Sequence, residues 1–127
     1  MPISPLSLVV LEVADLDRSI IFYRDLLGLP LRREDHRQGE DRWISGDHAA
    51  TSWREGHFLH FALYQAKGVV TTNVQIGFMT GELDAYHERL VEAEVTVDHP
   101  PRQEPWGCTS RYRDPDGNSV SLTQSDV

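Results

Sequence analysis

The amino-acid sequence predicts an α+β fold built from two successive β-α-β-β-β modules, and three observations carry that expectation. A Leu/Val-rich strand followed by an amphipathic helical stretch occurs twice. The pair Leu16-Asp17 in the first helix recurs as Leu83-Asp84 in the second, 67 residues on. Each helix is then followed by three shorter strand-like stretches separated by turn residues. With 127 residues, of which 39% are apolar, the chain can bury one core but not two conventional ones. One domain over 1–127 is therefore expected, with module one at about 5–66 and module two at about 70–125.

Leu6 to Val13 is dense in Leu and Val and suits a buried strand, and Asp15 is placed to cap the helix that follows. That helix is LDRSIIFYRDLLG, whose Leu16, Ile20, Tyr23 and Leu27 form one apolar stripe and whose stop is Gly28 with Pro30. Phe22, Tyr23 and Leu26 are read as packing residues. Strands are expected around Leu31 to Asp35, Arg42 to Ser45 and His57 to Tyr64. A polar connector, QAKGVVTT, leads to a second Val/Ile/Phe strand from Asn73 to Met79 and a second helix, GELDAYHERLVEAE, with Leu83, Leu90 and Val91 on its apolar side. Strand-like pieces near Val95 to Val97, Thr109 to Arg113 and Ser119 to Thr123 complete the copy. The last two are joined by RDPDGN, where Pro115 presets φ and Gly117 can take the positive φ that closes a hairpin.

The charge balance is 20 acidic against 12 basic residues, a net −8 with the basic residues scattered. A phosphate-tracking surface would show the opposite sign, so nucleic acid is not an expected partner. The acidity is compatible with a cationic small ligand and equally with plain solubility. Cys108 is the only cysteine, which excludes an intrachain disulfide and a cysteine-based zinc cluster and points to a reducing, cytoplasmic setting. The N-terminal stretch has no basic region, and Glu12 and Asp15 interrupt its apolar run, so it reads as a strand rather than a signal peptide. No apolar run approaches the roughly 20 residues of a membrane helix. No phosphate loop, serine nucleophile motif or metalloprotease helix is present.

Strand alternation proposes a ligand-facing surface. In the fourth strand, His57, Leu59, Phe61 and Leu63 belong to the helix-covered face, and Phe58, His60, Ala62 and Tyr64 to the other. The same parity assigns Leu8, Val10 and Glu12 from strand one, Asn73, Gln75 and Gly77 from strand five, and Ser119, Ser121 and Thr123 from strand eight. Candidate ligand contacts are thus Phe58, His60, Tyr64, Gln75, Arg111 and Glu12, with Trp43 and Trp106 as stacking surfaces. Trp53 is a third tryptophan open to either packing or stacking. His57 and His60, three apart on a strand, point to opposite faces and do not chelate together. His36, His48, His87 and His99 read as solvent-facing or loop residues.

VADLDRSIIFYRDLLGL, the PWG at Pro105 to Gly107, and YRDPDGNSVSL, in this order and with the 67-residue duplication, resemble the vicinal-oxygen-chelate superfamily, the glyoxalase and bleomycin-resistance fold. The resemblance implies a curved mixed sheet around a ligand cup and commonly a homodimer. It also implies one of several activities: glyoxalase, epimerase, extradiol dioxygenase, thiol transfer to fosfomycin, or sequestration of antibiotics without turnover. Enzymes of the superfamily hold a divalent metal that is chelated by two vicinal oxygens of the substrate. The positions implied for its ligands are Leu8, His60, Gln75 and Ser121. Leu cannot coordinate, and a serine hydroxyl is a poor ligand. The expectation is metal-independent, sequestration-like binding, with no cofactor, of a small, partly aromatic molecule, with cationic antibiotics and metabolites among the candidates. The alternatives are a superfamily enzyme, either metal-dependent or using Glu12 or His60 as a base, and a regulatory or immunity-type binding module.

Overall fold

A computed structural model describes residues 8–33, 42–45 and 60–124. By its internal contacts the chain divides between Val70 and Thr71 into two compact units. Both units follow β-α-β-β-β, as the sequence predicts.

In the first unit, β1 (Leu8–Val13) pairs in parallel with β4 (His60–Gln65), and β3 (Arg42–Ser45) and β2 (Leu31–Arg33) extend the sheet antiparallel in the order β1-β4-β3-β2. The register sets Leu8 beside His60, Val10 beside Ala62 and Glu12 beside Tyr64, so these six share one face. The opposite face is covered by the helix: Leu11, Val13, Phe61 and Leu63 are buried there with Leu16, Ile20, Phe22, Tyr23 and Leu27, and the Tyr23 and Phe61 rings lie 5.0 Å apart. The expected stripe is therefore buried throughout. Asp15 caps as its position predicts, its carboxylate accepting from the Arg18 amide at 3.2 Å.

The helix itself departs from expectation. Only α1 (Leu16–Ile20) is α-helical, and Ile21–Leu26 continues as a π-helical stretch closed by the Leu27 amide donating to the Phe22 carbonyl at 3.1 Å. The wide turn lets the adjacent Phe22 and Tyr23 both reach the covered face, at 3% and 0% exposure, with rings edge to face at 4.9 Å.

In the second unit, β5 (Gln75–Met79) pairs in parallel with β8 (Ser119–Gln124), followed by β7 (Gly107–Arg113) and β6 (Val97–Glu104) in the order β5-β8-β7-β6. The core lies between the sheet and α2 (Leu83–Glu92), where Leu83, Leu90, Tyr112, Val120 and Leu122 are buried. Val91 does not join them: it is 50% exposed, because a residue eight places beyond Leu83 has rotated about 80° off the stripe. His87 takes the inner place instead, its Nδ1 2.8 Å from the Tyr112 hydroxyl, so it is no surface histidine.

Two further boundaries differ. Asn73 lies outside β5 with φ of 62°, in the left-handed region rather than a strand. The sixth strand is not a short piece at Val95 to Val97 but runs to Glu104 through Pro100 and Pro101. Register shifts on both sides of His99 absorb the prolines, which a strand ending the sheet tolerates because its outer edge needs no ladder hydrogen bonds.

The RDPDGN segment is a hairpin turn, as expected, with Gly117 at φ 85°, but it is also a clamp. Asp114 accepts from the amides of Asp116 and Asn118 at 2.9 and 2.8 Å. The wholly buried Asn118 accepts from the Val74 amide at 3.0 Å and donates to the Thr71 carbonyl at 3.1 Å, tying the turn to the strand that begins the module.

Candidate functional site

Each sheet has one face away from its helix, and the candidate residues distribute over these two faces. In the first unit the face is formed by β1 and β4. Leu8 is 45% exposed and Glu12 is exposed, His60 and Tyr64 are half-buried, and Ala62 is fully buried in the floor. Phe58 and Trp53 lie outside the described residues, as do His36, His48 and His57. Trp43 pairs with Leu63 in β3, a register position in the row of the helix-covered face rather than that of His60 and Tyr64.

The second face is described more completely, and cross-strand pairing orders it in three rows. Gln75, Ser119 and Arg113 form the first. Gly77, Ser121, Arg111 and His99 form the second, and Met79, Thr123, Thr109 and Arg102 the third. The sequence-predicted Gln75, Arg111 and Ser121 thus share one face, and Trp106 joins them from the turn between β6 and β7. Its indole Nε1 donates to Thr109 Oγ1 at 3.2 Å, and Thr109 Oγ1 lies 3.0 Å from Thr123 Oγ1. This chain of hydrogen bonds positions an indole that is 65% exposed, and Met79, in the row of Thr123 and Thr109, is 66% exposed. Met79 follows the parity of Gln75 and Gly77, so its place was readable. The Trp106-Thr109-Thr123 chain was not, because nothing in the local sequence points a loop indole at a strand hydroxyl.

The electrostatics of this face differ from those of the whole chain. Arg113 is paired with Asp98 at 2.8 Å and Arg102 with Glu104 at 2.6 Å. Arg111 is exposed in the middle row, and its guanidinium makes no hydrogen bond or ion pair among the described residues. Beside it the floor is low: a Cβ built on Gly77 would stand 2.9 Å from the Ser121 hydroxyl oxygen.

The register also tests the implied metal positions. Ser121 sits two residues beyond Ser119, the partner of Gln75. The equivalent place in module one is two residues beyond His60, the partner of Leu8, and that is Ala62. His60 is therefore displaced by one full strand repeat from the position the resemblance assigned to it. The four equivalent places hold Leu8, Ala62, Gln75 and Ser121, which offer one amide oxygen and one hydroxyl. This set does not fit a divalent ion, which needs imidazole or carboxylate donors. Among the described residues no group of three or more His, Cys, Asp or Glu is placed to hold a metal ion.

Comparison with known proteins agrees with this architecture. Residues 6–122 match the family model of the Glyoxalase/Bleomycin resistance protein/Dioxygenase superfamily. No curated protein matches the chain. Among solved structures, the antibiotic binding protein TnmS3 from Streptomyces sp. CB03234 is similar at 24% identity and a TM-score of 0.76, with 99% of each chain covered. A superfamily member from Sphaerobacter thermophilus DSM 20745 is similar at 22% identity and a TM-score of 0.71, over 97% of this chain and 98% of that one. Lactoylglutathione lyase from Agrobacterium tumefaciens is similar at 23% identity and a TM-score of 0.66, over 98% of this chain and 96% of that one. At these identities the likeness is one of fold, shared by a binding protein and an enzyme alike.

Proposed function

The chain belongs to the Glyoxalase/Bleomycin resistance protein/Dioxygenase superfamily, and from that premise we propose that it binds a small, partly aromatic molecule without a metal ion and without turnover. One observation carries the reading: the places of a chelating set are filled by Leu8, Ala62, Gln75 and Ser121, while an exposed indole stands over the same face of module two. A sheet face with one fixed aromatic and a few polar groups suits ligand binding, and the side chains at the implied ligand places do not suit the Lewis acid that the enzymes of the superfamily use. The antibiotic-binding protein of the same fold supports this reading as precedent for binding an antibiotic. His60, Tyr64, Glu12, Gln75 and Arg111 are the proposed ligand contacts among the described residues. We further place the protein in the cytoplasm, on the strength of its single cysteine, and as a homodimer, following the habit of the superfamily.

Tryptophan fluorescence titration against planar aromatic antibiotics and metabolites tests the proposal. The expected result is saturable quenching that Trp106→Ala weakens by about 1–2 kcal/mol, as for a modest aromatic hot spot. Absence of quenching across a broad panel overturns the sequestration reading. Near-stoichiometric nickel, zinc, manganese or iron in protein purified without chelator overturns the metal-independent part and redirects the reading to an enzyme.

A further inference from the structure

The binding reading leaves the charge of the ligand open, and the net −8 of the chain by itself favours a cation. The second sheet face points the other way. Its acidic neighbours are already engaged: Asp98 holds Arg113 and Glu104 holds Arg102. Arg111, in the cross-strand row between the rows of those two arginines, is left with all its side-chain donors uncommitted among the described residues. A guanidinium presents a planar fork matched to a pair of oxygens, and it is the side chain best suited to a carboxylate.

What surrounds Arg111 narrows the class further. Two residues away along the same face of β7, about 7 Å by strand geometry, Thr109 anchors the Trp106 indole at 3.2 Å. Across the strand pair, Ser121 offers a hydroxyl and Gly77 offers no side chain, so no bulk rises from the floor there. Met79 borders the indole side of the face. A flat apolar wall, a shallow floor and a free guanidinium in adjacent rows match a flat ring with an acidic substituent.

Resting on the binding reading above, we infer that module two's open face recognises a planar aromatic molecule bearing a negatively charged oxygen group, with Arg111 as the partner of that group and Trp106 as the stacking surface. A cationic ligand meets repulsion at this position, so the charge that decides binding is local rather than that of the whole chain.

The test uses three probes of one shape, 2-naphthoate, 2-naphthamide and 2-naphthylmethylammonium, titrated into the full chain and followed by calorimetry and tryptophan fluorescence at low and moderate salt. The expected order is naphthoate tightest, by about tenfold over the ammonium compound. Arg111→Met should remove that advantage and bring naphthoate down to the affinity of naphthamide in the same variant. Arg111→Lys should restore part of it, since charge is kept and the fork is lost. The Arg111 side chain is exposed and has no partner to lose among the described residues, so thermal melts of both variants should match the parent and exclude misfolding as the cause.

Equal or tighter binding of the ammonium probe, or naphthoate binding unchanged in Arg111→Met, overturns the inference. If naphthamide binds and Trp106→Ala abolishes it while the carboxylate shows no preference, the charge assignment falls and the binding reading stands. If none of the three probes binds at millimolar concentration, both fall.

Discussion

The backbone amide of Leu83, the first residue of α2, donates to the side-chain oxygen of Gln124 at 3.0 Å. Gln124 is the last residue of β8, so the end of a strand supplies the cap for the start of a helix. Leu16 and Gln65 repeat the arrangement in module one, also at 3.0 Å, and Gln65 donates further to the carbonyls of Val13 and Ala14 at 3.2 and 2.8 Å. Glu82, at the N-cap of α2, makes no side-chain capping bond, so the amide would otherwise lack a protein partner there.

Replacing these glutamines should therefore destabilise unequally. Gln124→Ala removes one bond and is expected to cost about 1 kcal/mol, whereas Gln65→Ala removes three and should cost about 2–3 kcal/mol. Urea unfolding of both variants measures the difference. Equal costs would show that the extra bonds of Gln65 contribute nothing net.

The clamp at Asp114 and Asn118 should be the most sensitive polar site of module two. Asn118 is wholly buried and bonded to Val74, Thr71 and Asp114, so Asn118→Ala removes three hydrogen bonds made from a buried position, at a cost of about 3 kcal/mol. Gly117→Ala at φ 85° should cost only about 1–2 kcal/mol, the penalty of a left-handed Cβ. Chemical denaturation that reversed this order would refute the structural weight given to the clamp.

Gly77 and Ser121 should be energetically coupled. Because a Cβ on Gly77 would stand 2.9 Å from the Ser121 Oγ, Gly77→Ala is expected to be less favourable in the parent than in a Ser121→Ala background. A coupling of about 0.5–1 kcal/mol in a double-mutant cycle is the expected readout, and additive effects would count against the close approach.

Burial pushes the Tyr112 phenol above its ordinary value. The folded state thus holds the proton more tightly than the unfolded one, and the associated stability is present below pH about 10 and lost as pH rises past it. Tyr112→Phe should flatten that alkaline limb in pH-dependent melts. It should also cost about 1 kcal/mol at neutral pH through the bond to His87.

Much of this architecture was legible because its signals are local or periodic. The stripe from Leu16 to Leu27, the cap at Asp15 and the parity of His60, Ala62 and Tyr64 follow from spacing alone. Val91 was misread because a hydrophobic residue beside Leu90 looks like part of the stripe until its angle is counted. The long sixth strand was hidden by Pro100 and Pro101, which forbid a central strand but not an edge. Gln65 and Gln124 were invisible as caps because their partners lie 49 and 41 residues away. Nor could counting from motifs decide between His60 and Ala62, since that depends on which residues face each other across two strands.

The two modules follow one plan, yet the π-helical stretch at Ile21–Leu26 makes them unequal parts. Its i+5 closure from Phe22 to Leu27 accommodates one residue more per turn than α2 does, and both Phe22 and Tyr23 depend on that surplus for their seats. Two halves of one plan thus need not interchange: grafting the regular α2 into the first half would leave one aromatic without lodging, however well the surrounding strands aligned.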